Sequence, residues 1–222
     1  MTKLSLARPT VFLLLAFFVL GQAGCWNPFA PDSGDPVPRE PATYRDRESP
    51  EDVLHNLVTA YEWKNADEYL DCLSEDFVFY SSPVDVTADP TFPEYWYKDT
   101  ERTIHTNMFA DGSEVETISL QLTTAVIDSM DPSVPGDPKD KLYEEGVVLR
   151  VNVVGDLTYL AQAPSEFYMR VDQDQEGPNG EIWWEIYTWR DDPDGDSPTA
   201  RANPDGNEEL MTVGALKKKF ME

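Results

Sequence analysis

The chain holds two histidines, His55 and His105, the side chains whose charge changes near neutral pH without help from their surroundings. Acid–base chemistry at either one needs a reacting group within hydrogen-bond reach. His55 lies beside the apolar face of the first predicted helix and His105 follows Ile104 on another, so both are expected to be partly buried structural residues. Neither stands in a His-Glu-x-x-His pattern, and no Cys-x-x-Cys pair occurs. No transition-metal site and no cofactor are therefore expected. Cys72 has no motif around it and reads as core. Asp192-Pro193-Asp194-Gly195-Asp196 and Asn203-Pro204-Asp205-Gly206-Asn207 look like calcium loops. Calcium needs six or more oxygens, and its helix–loop–helix site ends in a bidentate Glu at the twelfth position. The prolines and the missing Glu leave ordinary turn chemistry. Trp63, Trp96, Trp183, Trp184 and Trp189 sit at core spacing on predicted elements and are expected to pack, not to form a stacking platform.

The elements that must position these residues begin at Ser49-Pro50-Glu51-Asp52. This is a helix start: a capping hydroxyl, a proline at the first turn and acids at the positive end. Val53, Leu54, Leu57, Val58 and Tyr61 then share one face, and a short second helix carries Ala66, Tyr69, Leu70 and Leu73. Phe77–Tyr80 reads as a buried strand, Pro83–Pro93 as loop, and Asp99 as the cap of a third helix. From Ile118 the period becomes two, through strands near 118–126, 146–154, 167–171 and 182–190. Asp131–Pro138 and Pro178-Asn179-Gly180 read as turns. The last long strand is apolar on both sides, with Trp184 and Ile186 on one face and Trp183, Tyr187 and Trp189 on the other, so it is expected to be central. Leu210–Leu216, between Glu208-Glu209 and Lys217-Lys218-Lys219, suits a short helix docking through Val213, Leu216 and Phe220.

Ahead of this block, Lys3 and Arg8 precede an unbroken apolar run, Val11–Leu20, too short to span a bilayer comfortably. Asn27–Glu48 then carries Pro28, Pro31, Pro36, Pro38 and Pro41, an extended tether that would hold a domain some tens of ångströms from its attachment. The net charge is −25, and −27 once residues 1–24 with their two basic side chains are removed. A field of that sign repels phosphates, so no nucleic-acid partner is expected.

Gly21-Gln22-Ala23-Gly24-Cys25 resembles the lipobox of bacterial lipoproteins, with Gln22 where that family usually has Leu. The resemblance implies lipidation of Cys25 after removal of residues 1–24, and an exported protein anchored to a bacterial cell membrane. An ordinary cleaved export signal is the alternative. Three further segments resemble the nuclear-transport-factor-2-like superfamily, which includes the SnoaL-like proteins and ketosteroid isomerase. They are Tyr61-Glu62-Trp63-Lys64-Asn65-Ala66-Asp67, Leu73-Ser74-Glu75-Asp76-Phe77-Val78-Phe79 and Trp184-Glu185-Ile186-Tyr187-Thr188-Trp189-Arg190-Asp191. This resemblance implies an α+β cone over 49–191, a curved antiparallel sheet wrapped around a three-helix layer and open at one end. Residues 25–48 would be the tether, and 192–222 an acidic loop with a short helix. Tyr61, Phe79, Trp96, His105 and Trp184 are the candidate pocket residues.

Isomerase members of that family place a general-base Asp after the first strand and a phenol in the first helix. Those places fall near Ser81 or Ser82 and near Leu57, and none of the three has the needed group. Asp85 and Tyr61 stand in only if the alignment slips. The expected function is a non-catalytic lipoprotein that binds a small ligand or an envelope protein. The alternatives are a SnoaL-like isomerase or cyclase and an envelope module that dimerises through its sheet.

Overall fold

Ser49 caps the first helix as the Ser-Pro pair predicts, its Oγ accepting from the Asp52 amide at 3.2 Å. Helix α1 runs Pro50–Trp63 and stops at Lys64, whose φ of 53° is left-handed. Its buried face is Val53, Leu54, Leu57, Ala60 and Tyr61. Asn65 caps α2, Ala66–Asp71. These coordinates come from a computed structural model, which describes residues 41–127, 141–176, 180, 182–195, 201–202 and 207–221. Within it, Ala42–Glu222 forms one compact unit. Cys25, the tether up to Glu40 and the turn at Asp131–Pro138 lie outside the described residues.

Strand β1, Leu73–Tyr80, is followed by α3, Pro83–Ala88, inside the stretch expected to be loop. Ser82-Pro83 repeats the start signal of Ser49-Pro50, and the Ser82 Oγ accepts from the Val84 amide at 3.3 Å. Strand β2, Tyr95–Tyr97, leads directly into α4, Lys98–Phe109. Tyr97, not Asp99, is the N-cap, and Asp99 lies in the first turn, where its charge meets the positive helix end. The remaining strands are β3 Val115–Ile127, β4 Lys141–Val153, β5 Leu157–Glu176, β6 Ile182–Asp191, β7 Arg201–Ala202 and β8 Glu208–Met211, and α5 spans Val213–Lys218.

The architecture is an α+β cone with a curved, unclosed sheet. Its strand order is β2-β1-β6-β5-β4-β3, so β6 is central. The sheet is mainly antiparallel, as expected, with two parallel pairings, β1 with β6 and β5 with β8. β5 is 20 residues long and changes neighbour along its length. Thr158–Ala161 pair with β8, while Ser165 onward pairs with β6. The C-terminal segment thereby belongs to the sheet. Leu210 and Met211, expected in a helix, are in β8.

Strict alternation buries Val147, Leu149, Val151 and Val153 of β4. In β6 the alternation breaks. Tyr168 pairs with Thr188 but Met169 pairs with Ile186, an irregularity that leaves Tyr187 as the extra residue. Ile186 and Trp189 consequently both point into the core, although period two would place them on opposite faces. Trp184 is only half-buried against that core. Among the described residues, no helix is long and apolar enough to cross a membrane.

Candidate functional site

Glu101 stands one helical turn before His105 on α4, so both side chains project from the same face into the cone. Neither has measurable exposure. Three neutral groups fix the carboxylate. Tyr69 of α2 donates its hydroxyl to Oε2 at 2.8 Å. Trp96 of β2 donates Nε1–H to Oε1 at 2.7 Å. His105 Nδ1 lies 3.2 Å from Oε2 and 2.9 Å from the Glu101 carbonyl oxygen. His105 Nε2 lies 2.8 Å from the Tyr61 hydroxyl. The ring of Tyr69 stacks on His105, centroids 3.5 Å apart and planes 19° off parallel.

The fourth partner is Lys217 of α5, fully buried, with Nζ 2.9 Å from Glu101 Oε1. Its ammonium also faces the rings of Trp189 at 3.9 Å, Phe79 at 4.1 Å and Tyr69 at 5.9 Å. Ring faces attract cations, and the attraction is strongest where water is excluded. Burial alone would raise the Glu101 carboxyl, but the Lys217 ammonium and the His105 donor outweigh it and hold it well below its usual range. Burial lowers Lys217, against the pull of Glu101. Burial also lowers His105, which keeps the imidazole neutral at pH 7, with Nδ1–H toward Glu101 and Nε2 accepting from Tyr61.

A second group anchors the start of α5. Thr212 caps the helix, its Oγ1 accepting from the Ala215 amide at 3.0 Å and donating to Asp85 Oδ2. The Gly214 amide donates to Asp191 Oδ2 at 2.7 Å, while Asp191 Oδ1 is buried without a partner among the described residues. Burial pushes the Asp191 carboxyl up to about 7. Ser82 donates to Asp192 Oδ2 at 2.9 Å, and the Gly195 amide donates to the Asp192 carbonyl, so this acidic loop begins as a closed turn. Most of the second acidic loop lies outside the described residues. Among the described residues, no three His, Cys, Asp or Glu side chains are placed to hold a metal ion.

The structure brings Tyr61, Phe79, Trp96 and His105 together in the cone, with Trp189 joining them through the irregularity in β6 and Trp184 only half-buried against the core. Leu57 is core, Ser81 donates to the Pro93 carbonyl at 2.7 Å, and Asp85 is held by Thr212. Cys72 is buried and its thiol is pushed up to about 12 by burial, which keeps it a thiol. His55 lies on the rim of a 460 Å³ cleft between α1 and β3. A second cleft of 380 Å³ is lined by Tyr80, Ser81, Glu94, Arg190 and Asp191. Neither cleft is lined by Tyr61, Glu101, His105 or Lys217.

Glu101, Tyr69, Trp189, Asp191 and Lys217 were not candidates from sequence. The four-residue spacing of Glu101 and His105 is a legible signal for the first of them. Lys217 has one too, because it falls on the same helical stripe as Val213, Leu216 and Phe220.

No family model matches the chain, and no curated protein matches it. The chain is similar in part to several solved structures. A proposed aromatic ring hydroxylase from Novosphingobium aromaticivorans is 16% identical, with 65% of this chain and 86% of that one covered and a TM-score of 0.44. A conserved protein from Planctomyces limnophilus is 11% identical over 63% and 89%, with a TM-score of 0.45. A proposed scytalone dehydratase from Novosphingobium aromaticivorans is 9% identical over 63% and 78%, with a TM-score of 0.42.

Proposed function

We propose that this chain is an exported lipoprotein whose cone serves a non-catalytic role. One observation carries the non-catalytic part: the chain's own helix α5 sends Lys217 into the cone interior, where it pairs with Glu101, both side chains at 0% exposure. General acid–base catalysis needs a positioned group within reach of a substrate. Tyr61, His105 and Glu101 spend their polar atoms on one another and on Lys217.

The anchoring part rests on Ala23-Gly24-Cys25 behind the apolar run. Metabolic labelling with a tagged fatty acid is expected to mark the wild type and to leave Cys25→Ser unmarked. Label retained in Cys25→Ser contradicts anchoring at that residue. Each buried methylene contributes about 0.8 kcal/mol, so two or more acyl chains make release from a membrane slow.

A second reading is favoured by the phenol–imidazole–carboxylate chain of Tyr61, His105 and Glu101, a proton path suited to a SnoaL-like isomerase or cyclase once α5 is displaced. The purified protein is expected to show no turnover of a generic enone above the buffer rate. Turnover that disappears in His105→Ala overturns the non-catalytic proposal and names the base.

A further inference from the structure

Among the described residues, the groups around the Lys217 ammonium come from four separate elements of the cone body and none from α5. Tyr69 is on α2, Phe79 on β1, Glu101 on α4 and Trp189 on β6. The carboxylate is already fixed by Tyr69, Trp96 and His105, three donors that do not depend on Lys217. The rings are fixed as well. Phe79 stacks on Trp96 at 4.2 Å and packs on Trp189 at 5.5 Å, and Tyr69 stacks on His105. A simple ion pair between two buried side chains requires none of this. A preorganised carboxylate together with two ring faces, each about 4 Å from the nitrogen, is the arrangement that recognises an ammonium group.

We propose that the cone interior is a binding site for primary alkylammonium ions, with Lys217 as its tethered occupant. The proposal rests on the cone being a binding interior, not a reacting one. The N–H donors select a primary amine, since Glu101 Oε1 at 2.9 Å and the Tyr69 hydroxyl at 3.4 Å both accept from the ammonium. A quaternary ammonium offers no such donor, and its methyl groups do not fit ring centroids 3.9 and 4.1 Å from the nitrogen. The lysine stem sets the preferred length at four carbons. Free ligand competes with a tethered group whose effective concentration is in the millimolar range or above, so the site takes ligand when α5 is withdrawn.

The test uses the full chain carrying Lys217→Ala, melted with n-butylammonium chloride. Matched sodium chloride, n-butanol and tetramethylammonium chloride are the controls. At ten times the dissociation constant the butylammonium ion is expected to raise Tm by about 3–5 °C, with no rise in the wild type or in Lys217→Ala with Glu101→Gln. An equal rise with n-butanol overturns the proposal, because it marks an apolar hole. A rise that survives Glu101→Gln, or no rise at all, overturns it too. Should Lys217→Ala fail to fold, the wild type carries the test through amide exchange. Butylammonium is expected to quicken exchange across Val213–Lys218 severalfold while sodium chloride and n-butanol leave it unchanged, and unchanged rates overturn the proposal. These measurements read occupancy, whereas enone turnover reads catalysis, so the two proposals fail separately.

Discussion

Glu101→Ala is expected to lower the unfolding free energy by about 3–5 kcal/mol, because it leaves the Lys217 ammonium buried without its counter-charge. Both side chains are fully excluded from water, so screening does not soften the loss. Lys217→Ala strands the Glu101 carboxylate in the same way, although Tyr69, Trp96 and His105 still donate to it. The smaller loss is therefore expected for Lys217→Ala. Replacing both at once, Glu101→Gln with Lys217→Met, removes the two charges together and is expected to recover most of the stability. Urea titrations of the two alanine variants and their double completes a cycle that isolates the coupling. Near-zero coupling would place Lys217 outside the cone.

Asp191→Asn gives the second large effect, and its sign depends on pH. Burial raises the Asp191 carboxyl from 3.8 to about 7 in the folded state, with the Gly214 amide opposing and Asp85 adding repulsion. A raised carboxyl binds its proton more tightly folded than unfolded. Its stabilisation is therefore complete below about pH 4 and lost as pH rises through 7. Three pH units correspond to about 4 kcal/mol. Asparagine stays neutral and still accepts from the Gly214 amide, so the variant avoids that loss. The stability difference, variant minus wild type, is expected to grow from pH 4 to 7 by up to about 4 kcal/mol and then level off. His105 contributes with the opposite sign, since burial lowers it below its usual value and its stabilisation is lost as pH falls. It is common to both proteins and cancels in the difference. A difference independent of pH would show Asp191 ionised and solvated.

Local signals in the sequence are those the structure honours most closely. Ser49-Pro50 starts α1, and the valines at 147, 149, 151 and 153 alternate as a half-buried strand must. Ser82-Pro83 carried the same start signal, hidden by the prolines that follow. What the sequence obscures is long-range. The irregularity at Tyr187 turns Trp189 onto the core face that Ile186 and the half-buried Trp184 share, and no residue type announces it. Glu208–Met211 is a strand only because the first half of β5 offers an unpaired edge beside it. Lys217 belongs to a run of three lysines, a pattern that reads as a solvated face. Its burial follows from partners on α2, β1, α4 and β6, distant in the chain and assembled only by the fold.

Those three adjacent lysines also supply the most direct measurement of whether the chain's own helix sends Lys217 into the cone. Brief acetylation of the native protein, read by mass spectrometry of the C-terminal peptide, compares Lys217 with two internal controls. Lys218 and Lys219 have side chains 35% exposed and are expected to react, while Lys217, at 0%, is spared until denaturant is added. Equal labelling of all three in the native protein would contradict a cone closed by Lys217.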